Sequence, residues 1–244
     1  MRCSAKRTVD SRHATGSDHF GRREPGGAAQ RPDLGRRHVF LLDVLRGPLR
    51  PDGARTISAA DALTLAQQIG RLTLLMTGSM LPEFARNEAN VKQELAQHLR
   101  KLDDGVALAA DCLKECGSPI ATVPLANSPL QAHLETEYAA FVNACEVLDD
   151  DKDAKSRAMD RVVRQLRPSR RGSGLDANII EHYFALAREL RVRSFGHPFL
   201  FVSSNTADYC ETRSILHPDL SADFQALSLA YTSSLPWAKS ALGV

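Results

Sequence analysis

Apolar positions follow two rhythms along this chain. Short continuous runs come first: residues 38–42 end in Leu41-Leu42 directly before Asp43, and the pattern predicts a strand buried on both faces. Runs at 72–77 and 198–203 predict two more strands, and a last one is expected at about 230–233. Between them, apolar residues recur every three or four positions. Ser58 and Asp61 read as a capping box opening a helix that reaches about Leu72. Pro82 opens another, with Val91, Leu95, Leu99 and Leu102 on one face, and Leu134, Tyr138, Phe141, Val142 and Cys145 mark a third after Pro129. Asp176 opens a helix that turns Ile179, Ile180, Tyr183, Phe184 and Leu186 inward, and a short helix is expected near 221–227. Strands separated by helices predict an α/β fold with a short, mainly parallel sheet and an enlarged helical middle from about 88 to 166.

Composition narrows this picture. A chain of 244 residues with 43% hydrophobic and 25% charged residues suits one soluble domain. Before His38, however, there are nine Lys/Arg against four Asp/Glu, seven Gly/Pro and hardly an aliphatic side chain. Such a segment buries too little apolar surface to offset its ordering entropy, so residues 1–37 are expected to be a disordered basic tail and 38–240 the domain. No run approaches the roughly 20 apolar residues of a membrane span. The five cysteines, Cys3, Cys112, Cys116, Cys145 and Cys210, are spread without a CxxC pair. Together these features point to the cytoplasm and away from membranes. Cys112 and Cys116, one helical turn apart among Ala, Leu and Val, read as core residues rather than a metal pair.

The body of the chain is mildly acidic, with 22 Lys/Arg against 25 Asp/Glu after residue 37. A nucleic acid would therefore be held by a local patch, not by the field of the whole domain. Arg167, Arg170 and Arg171, in the loop before Asp176, form the best such patch for RNA; a solvated basic linker has the same composition. Phosphate-binding GxxxxGK[ST], dinucleotide-binding GxGxxG, HExxH and GxSxG patterns are all missing. What remains is a set of acids beside apolar runs: Asp43 after the first, Glu83 shortly after the second, Asp176 at a helix start, and Asp208 with Asn205 after the run that ends in Ser203-Ser204. In an open parallel sheet, groups at the carboxyl ends of strands converge although they are remote in sequence. Converging carboxylates repel unless a cation lies among them, and hard oxygen donors select Mg²⁺ or Mn²⁺. Taken singly, each acid also suits a helix cap, a first helical turn or a surface turn.

Taken in order, L-L-D at 41–43, L-P-E-F at 81–84, L-D-A-N-I-I at 175–180 and F-V-S-S-N-T-A-D-Y at 201–209 resemble the PIN-domain family of metal-dependent ribonucleases. The 40-residue interval from Asp43 to Glu83 agrees with that pattern, and Trp237 resembles the tryptophan of the family's closing strand. The resemblance implies a three-layer α/β/α fold and an RNA endonuclease, toxin-like or RNA-processing. It further implies Asp43, Glu83, Asp176 and Asp208 as catalytic metal ligands for Mg²⁺ or Mn²⁺, with Asn205 the alternative to Asp208 in the fourth acidic position, and Ser203 and Asn205 completing the pocket toward RNA. An antitoxin-like protein partner and a homodimer belong to the same expectation. Asp43 is followed by Val44-Leu45 where the family usually has Thr/Ser-Asn, and that departure suits the alternative of a catalytically silent PIN-like binding module.

Overall fold

A computed structural model describes residues 41–126, 128–169, 174–212 and 214–244. The expected tail, the first three residues of the run at 38–42, and Arg170 and Arg171 lie outside the described residues. Leu41 and Leu42 are buried but form a turn, so over its described part the expected first strand is not found. A continuous apolar run specifies burial and leaves backbone conformation open. Here Arg46 N–H reaches Leu42 O and Gly47 N–H reaches Val44 O, and consecutive turns bury Leu41, Leu42, Val44 and Leu45 together.

After a 3-10 turn at Gly47–Leu49, helix α1 spans Gly53–Gln68. It starts five residues before the Ser58 capping box, because backbone closure rather than a side-chain cap sets its origin. A Cβ on Gly53 would sit 1.7 Å from the Gly47 carbonyl oxygen, so only glycine permits that approach. The buried face of α1 is mainly small, with Thr56, Ala59, Ala60, Leu63, Thr64 and Ala66, and it packs against two later helices, α3 and α8 (ranges below).

Strand β1, Leu75–Thr77, leads through a 3-10 turn at Gly78–Met80 into α2, Leu81–Glu115. The first half of α2 buries Phe84, Val91, Leu95 and Leu99. Beyond that point the helix outruns the body: Leu102, Val106, Leu108 and both Cys112 and Cys116 are exposed, correcting their assignment to the core. The Asp103 carboxylate ties the returning chain by accepting the N–H groups of Leu125 and Ala126 at 2.6 and 2.8 Å.

Helix α3, Leu130–Ala144, buries Leu134, Tyr138 and Phe141. It is followed by β2, Glu146–Leu148, which pairs in parallel with β1 in the register Leu75↔Glu146 and interrupts the expected helical middle. Helix α4, Lys152–Val163, opens where Asp151 accepts N–H groups from Asp153 and Ala154 at 2.7 and 3.1 Å. Those bonds hold the Asp151 carboxyl below its usual range. Asp151→Ala is expected to cost about 1 kcal/mol in urea denaturation and Asp151→Asn only a few tenths. Equal costs for the two would show that the cap does not act through its acceptor.

Helix α5, Gly174–Val192, buries Ile179, Ile180, Tyr183, Phe184 and Ala187, and the Tyr183 hydroxyl donates to Leu75 O at 2.9 Å, pinning the helix to β1. Strand β3, Phe199–Val202, is followed by the single turn α6, Thr206–Tyr209, and the antiparallel pair β4, Cys210–Thr212, and β5, Ile215–Leu216. Helix α7, Pro218–Ala226, then returns the chain to β6, Leu229–Thr232, parallel to β3 with Phe201 opposite Tyr231. The chain closes with α8, Leu235–Leu242, whose N-terminus the Ser234 hydroxyl caps. Trp237 lies in this helix, half exposed, and not in a closing strand. The architecture is thus mixed α/β with short parallel pairs. Its core joins α1, the front of α2, α3, α5 and α7 with an aromatic group in which Phe201 meets Tyr183 and Tyr209 at 5.3 Å and Tyr209 stacks on Tyr231.

Candidate functional site

The parallel strands β3 and β6 end together, where Ser203 N–H bonds to Thr232 O and the Tyr231 hydroxyl donates to Ser203 O at 2.9 Å. From this anchored point the chain turns through Ser204 and Asn205 into α6. The Asn205 amide nitrogen donates to both Asp208 Oδ2, at 2.9 Å, and Asp176 Oδ1, at 3.3 Å. One side chain therefore joins two carboxylates 32 positions apart in sequence. The Ser204 hydroxyl lies near the Asp43 carboxylate and weakly favours its charged form, which places the third acid near the same short segment. Asp43, Asp176, Asn205, Asp208 and Ser203 are all buried, with Asp176 fully enclosed. Glu83, also buried, stands in the first turn of α2, just past the carboxyl end of β1 and the 3-10 turn that packs against α5.

Two arginines face this row of acids. Arg50 Nη2 forms an ion pair with Asp43 Oδ1 at 2.8 Å. Arg167 donates to Ala207 O and stands 3.9 Å from Asp208 Oδ1, an atom that is buried without a hydrogen-bond donor. Burial pushes the Asp43 carboxyl above its ordinary range, outweighing the opposing charges of Arg50 and then Arg46. The Tyr209 hydroxyl, fully buried, has no hydrogen-bond partner; burial first, and next the charge of Asp176, holds it well above the usual phenol range.

The donor set is chemically suited to a hard divalent cation, since every candidate ligand is an oxygen and the Asp208 Oδ1 atom is buried without a donor. As arranged, no three Asp, Glu, His or Cys side chains among the described residues stand within reach of one ion. The Asn205 amide bridges Asp176 and Asp208, and Arg50 is paired with Asp43.

Asp176 and Asp208 are therefore brought together by the Asn205 amide, and Asp43 lies near Ser204 of the same loop; Glu83 stands in the first turn of α2. Of the three loop arginines, Arg167 is described and reaches the site. Its backbone is clamped, with N–H to Asp219 Oδ2 at 2.8 Å and C=O receiving Arg161 Nη1 at 2.7 Å. Arg161 in turn meets Glu181 at 2.8 Å and Asp223 at 2.6 Å. Arg50 and Ser204 join the site without a sequence signal of their own. Arg50 sits in a polar turn between Pro48 and Pro51, and only its seven-residue distance from Asp43 hints at the pairing.

Comparison of the chain with known protein families, curated proteins and solved structures finds no match. Among the described residues no helix is long and apolar enough to cross a membrane.

Proposed function

We propose that the protein is a metal-dependent RNA endonuclease of PIN-like type, its three layers formed by α helices on both sides of the short parallel strand pairs. The observation that carries the reading is the Asn205 amide joining Asp176 to Asp208, one residue from a serine that lies near Asp43. Structural acids remote in sequence have no need to share one loop; a cation site does. On this reading Asp43, Glu83, Asp176 and Asp208 would hold Mg²⁺ or Mn²⁺. Such an ion, when bound, lowers the pKa of its water and neutralises charge on the phosphodiester. The chain supplies the rest. Asn205 orients Asp176 and Asp208, the stacked Tyr209 and Tyr231 form a rigid apolar floor, and Arg167 on its clamped backbone takes a phosphate oxygen as a forked donor.

A second reading, a catalytically silent PIN-like module that binds RNA or an antitoxin-like protein, draws on the neutralising contacts of Arg50 and Asn205 and on Val44 and Leu45. The latter two are fully buried where the family has a hydroxyl and an amide. Both readings with RNA use the arginine loop. Changing Arg167, Arg170 and Arg171 together to Ala is expected to weaken RNA binding and to reduce the log–log salt slope by roughly 0.7 to 0.9 for each phosphate that is no longer neutralised. An unchanged slope in a filter-binding titration would remove RNA from the proposal. A Mn²⁺-induced rise in melting temperature separates the enzyme from the silent module.

A further inference from the structure

We propose that the outer half of α2 is a self-association arm, which pairs antiparallel with the same segment of a second copy of this chain. The inference is independent of the acid row and its chemistry.

The row Leu95, Leu99, Leu102, Val106, Ala109 and Leu113 advances by alternate steps of four and three residues, the repeat that keeps one face turned toward a neighbouring helix. The body of the protein covers this face as far as Leu99, which is 1% exposed. Beyond it the row continues without cover: Leu102 is 39% exposed, Val106 43% and Leu113 38%. Six of the sixteen large apolar side chains exposed among the described residues lie between 102 and 123, a concentration that marks an interaction surface rather than scattered exposure. Ile120 and Val123, in the chain that returns alongside α2, belong to it.

The row complements itself. When two copies lie antiparallel, Leu102 of one meets Leu113 of the other and Val106 meets Ala109, so every layer joins apolar groups and the two ends of the seam are equivalent. Charge is kept off the seam. The segment from 100 to 115 holds three basic and four acidic residues, so two copies of it are nearly neutral toward each other. Asp103, which flanks the row, has its carboxylate engaged by the N–H groups of Leu125 and Ala126. On the other flank a Cβ on Gly105 would meet nothing within 4 Å, which leaves room for a second backbone to approach. With no charge on the row to select a foreign partner, the chain's own row is the matching occupant. From 102 to 113 the seam is about 17 Å long at 1.5 Å per residue. An interface of that length is small, so the dimer is reversible and concentration-dependent.

The test is sedimentation velocity of the full chain over a range of protein concentrations. Wild type should pass from monomer to dimer with a Kd on the order of 10 µM. Val106→Glu sets carboxylates into the centre of the seam and should weaken association by about a hundredfold or more. Ala109→Leu enlarges the group that meets Val106 and should tighten it several-fold. Leu108, 67% exposed, lies on the other side of the helix, and Leu108→Glu should leave the dimer intact. Melting temperatures should stay at the wild-type value, because all three positions are exposed. Leu102→Lys and Leu113→Glu should each abolish the dimer, and their combination should restore it, since antiparallel pairing sets the new ammonium of one copy against the new carboxylate of the other. A wild type that stays monomeric at every concentration overturns the proposal. So does a dimer that survives Val106→Glu, one that Leu108→Glu weakens equally, or a double variant no better than its two single changes.

Discussion

Asp43→Asn is expected to move stability and activity in opposite directions. Burial already drives this carboxyl toward its neutral form despite Arg50, so an uncharged isostere should leave the apo protein as stable as wild type or up to about 1 kcal/mol more stable. On the proposed reading the same substitution also removes a metal ligand. Mn²⁺ should then raise the melting temperature less than in wild type, and RNA cleavage should fall on the order of a hundredfold or more. The competing helix-cap explanation for Asp43 has no structural basis, since the residue lies within consecutive turns and the following 3-10 turn shows no side-chain cap. Clear apo destabilisation together with an undiminished Mn²⁺ shift would contradict the metal-site reading.

The second large effect is expected in the charged network behind Arg167. Arg161 and Glu181 are both buried, and Glu181 is also approached by Arg157 at 3.3 Å and Arg188 at 3.8 Å. Removing one partner of such a pair leaves a desolvated charge without its main counter-charge, so Arg161→Met should cost about 3–5 kcal/mol in denaturant unfolding. Arg161→Met combined with Glu181→Leu should cost much less than the two single changes added together, because neither charge remains. Since Arg161 also holds the Arg167 carbonyl, the single variant should weaken RNA binding even under conditions where it stays folded. A cost below about 1 kcal/mol would mean that solvent reaches this network far more than its burial implies.

These two sites differ in how far the sequence discloses them. Helix α5, strand β3 and the acids beside them are legible, because a strong apolar period and acids at element ends are local patterns. The run ending at Leu42 misleads since burial and strand conformation are separate properties: consecutive turns hide Leu41 and Leu42 as fully as a sheet does. Strand β2 has three residues with Glu146 and Val147 exposed, so no alternation marks it, and it exists through pairing with β1. The exposure of Cys112 and Cys116 follows from the length of α2 relative to the body, which periodicity does not encode. Arg50 is hidden for a different reason. Charge pairing across a turn depends on where the backbone folds back, and here that is decided by the close approach of Gly47 and Gly53. The Arg161 network likewise joins α4, α5 and α7, and no spacing rule connects residues 161, 181 and 223.

The central claim is that buried acids gathered at the end of β3 form a cation-dependent RNA-cleaving centre. It is tested most directly by incubating end-labelled single-stranded RNA with the full chain and with Asp176→Asn purified in parallel, in Mn²⁺ and in EDTA. The account predicts discrete internal cleavage by wild type in Mn²⁺, none in EDTA, and a loss of on the order of a hundredfold or more in the variant. Cleavage that persists in EDTA or is equal in the two proteins would contradict it, as would intact RNA under every condition with no Mn²⁺ binding by wild type.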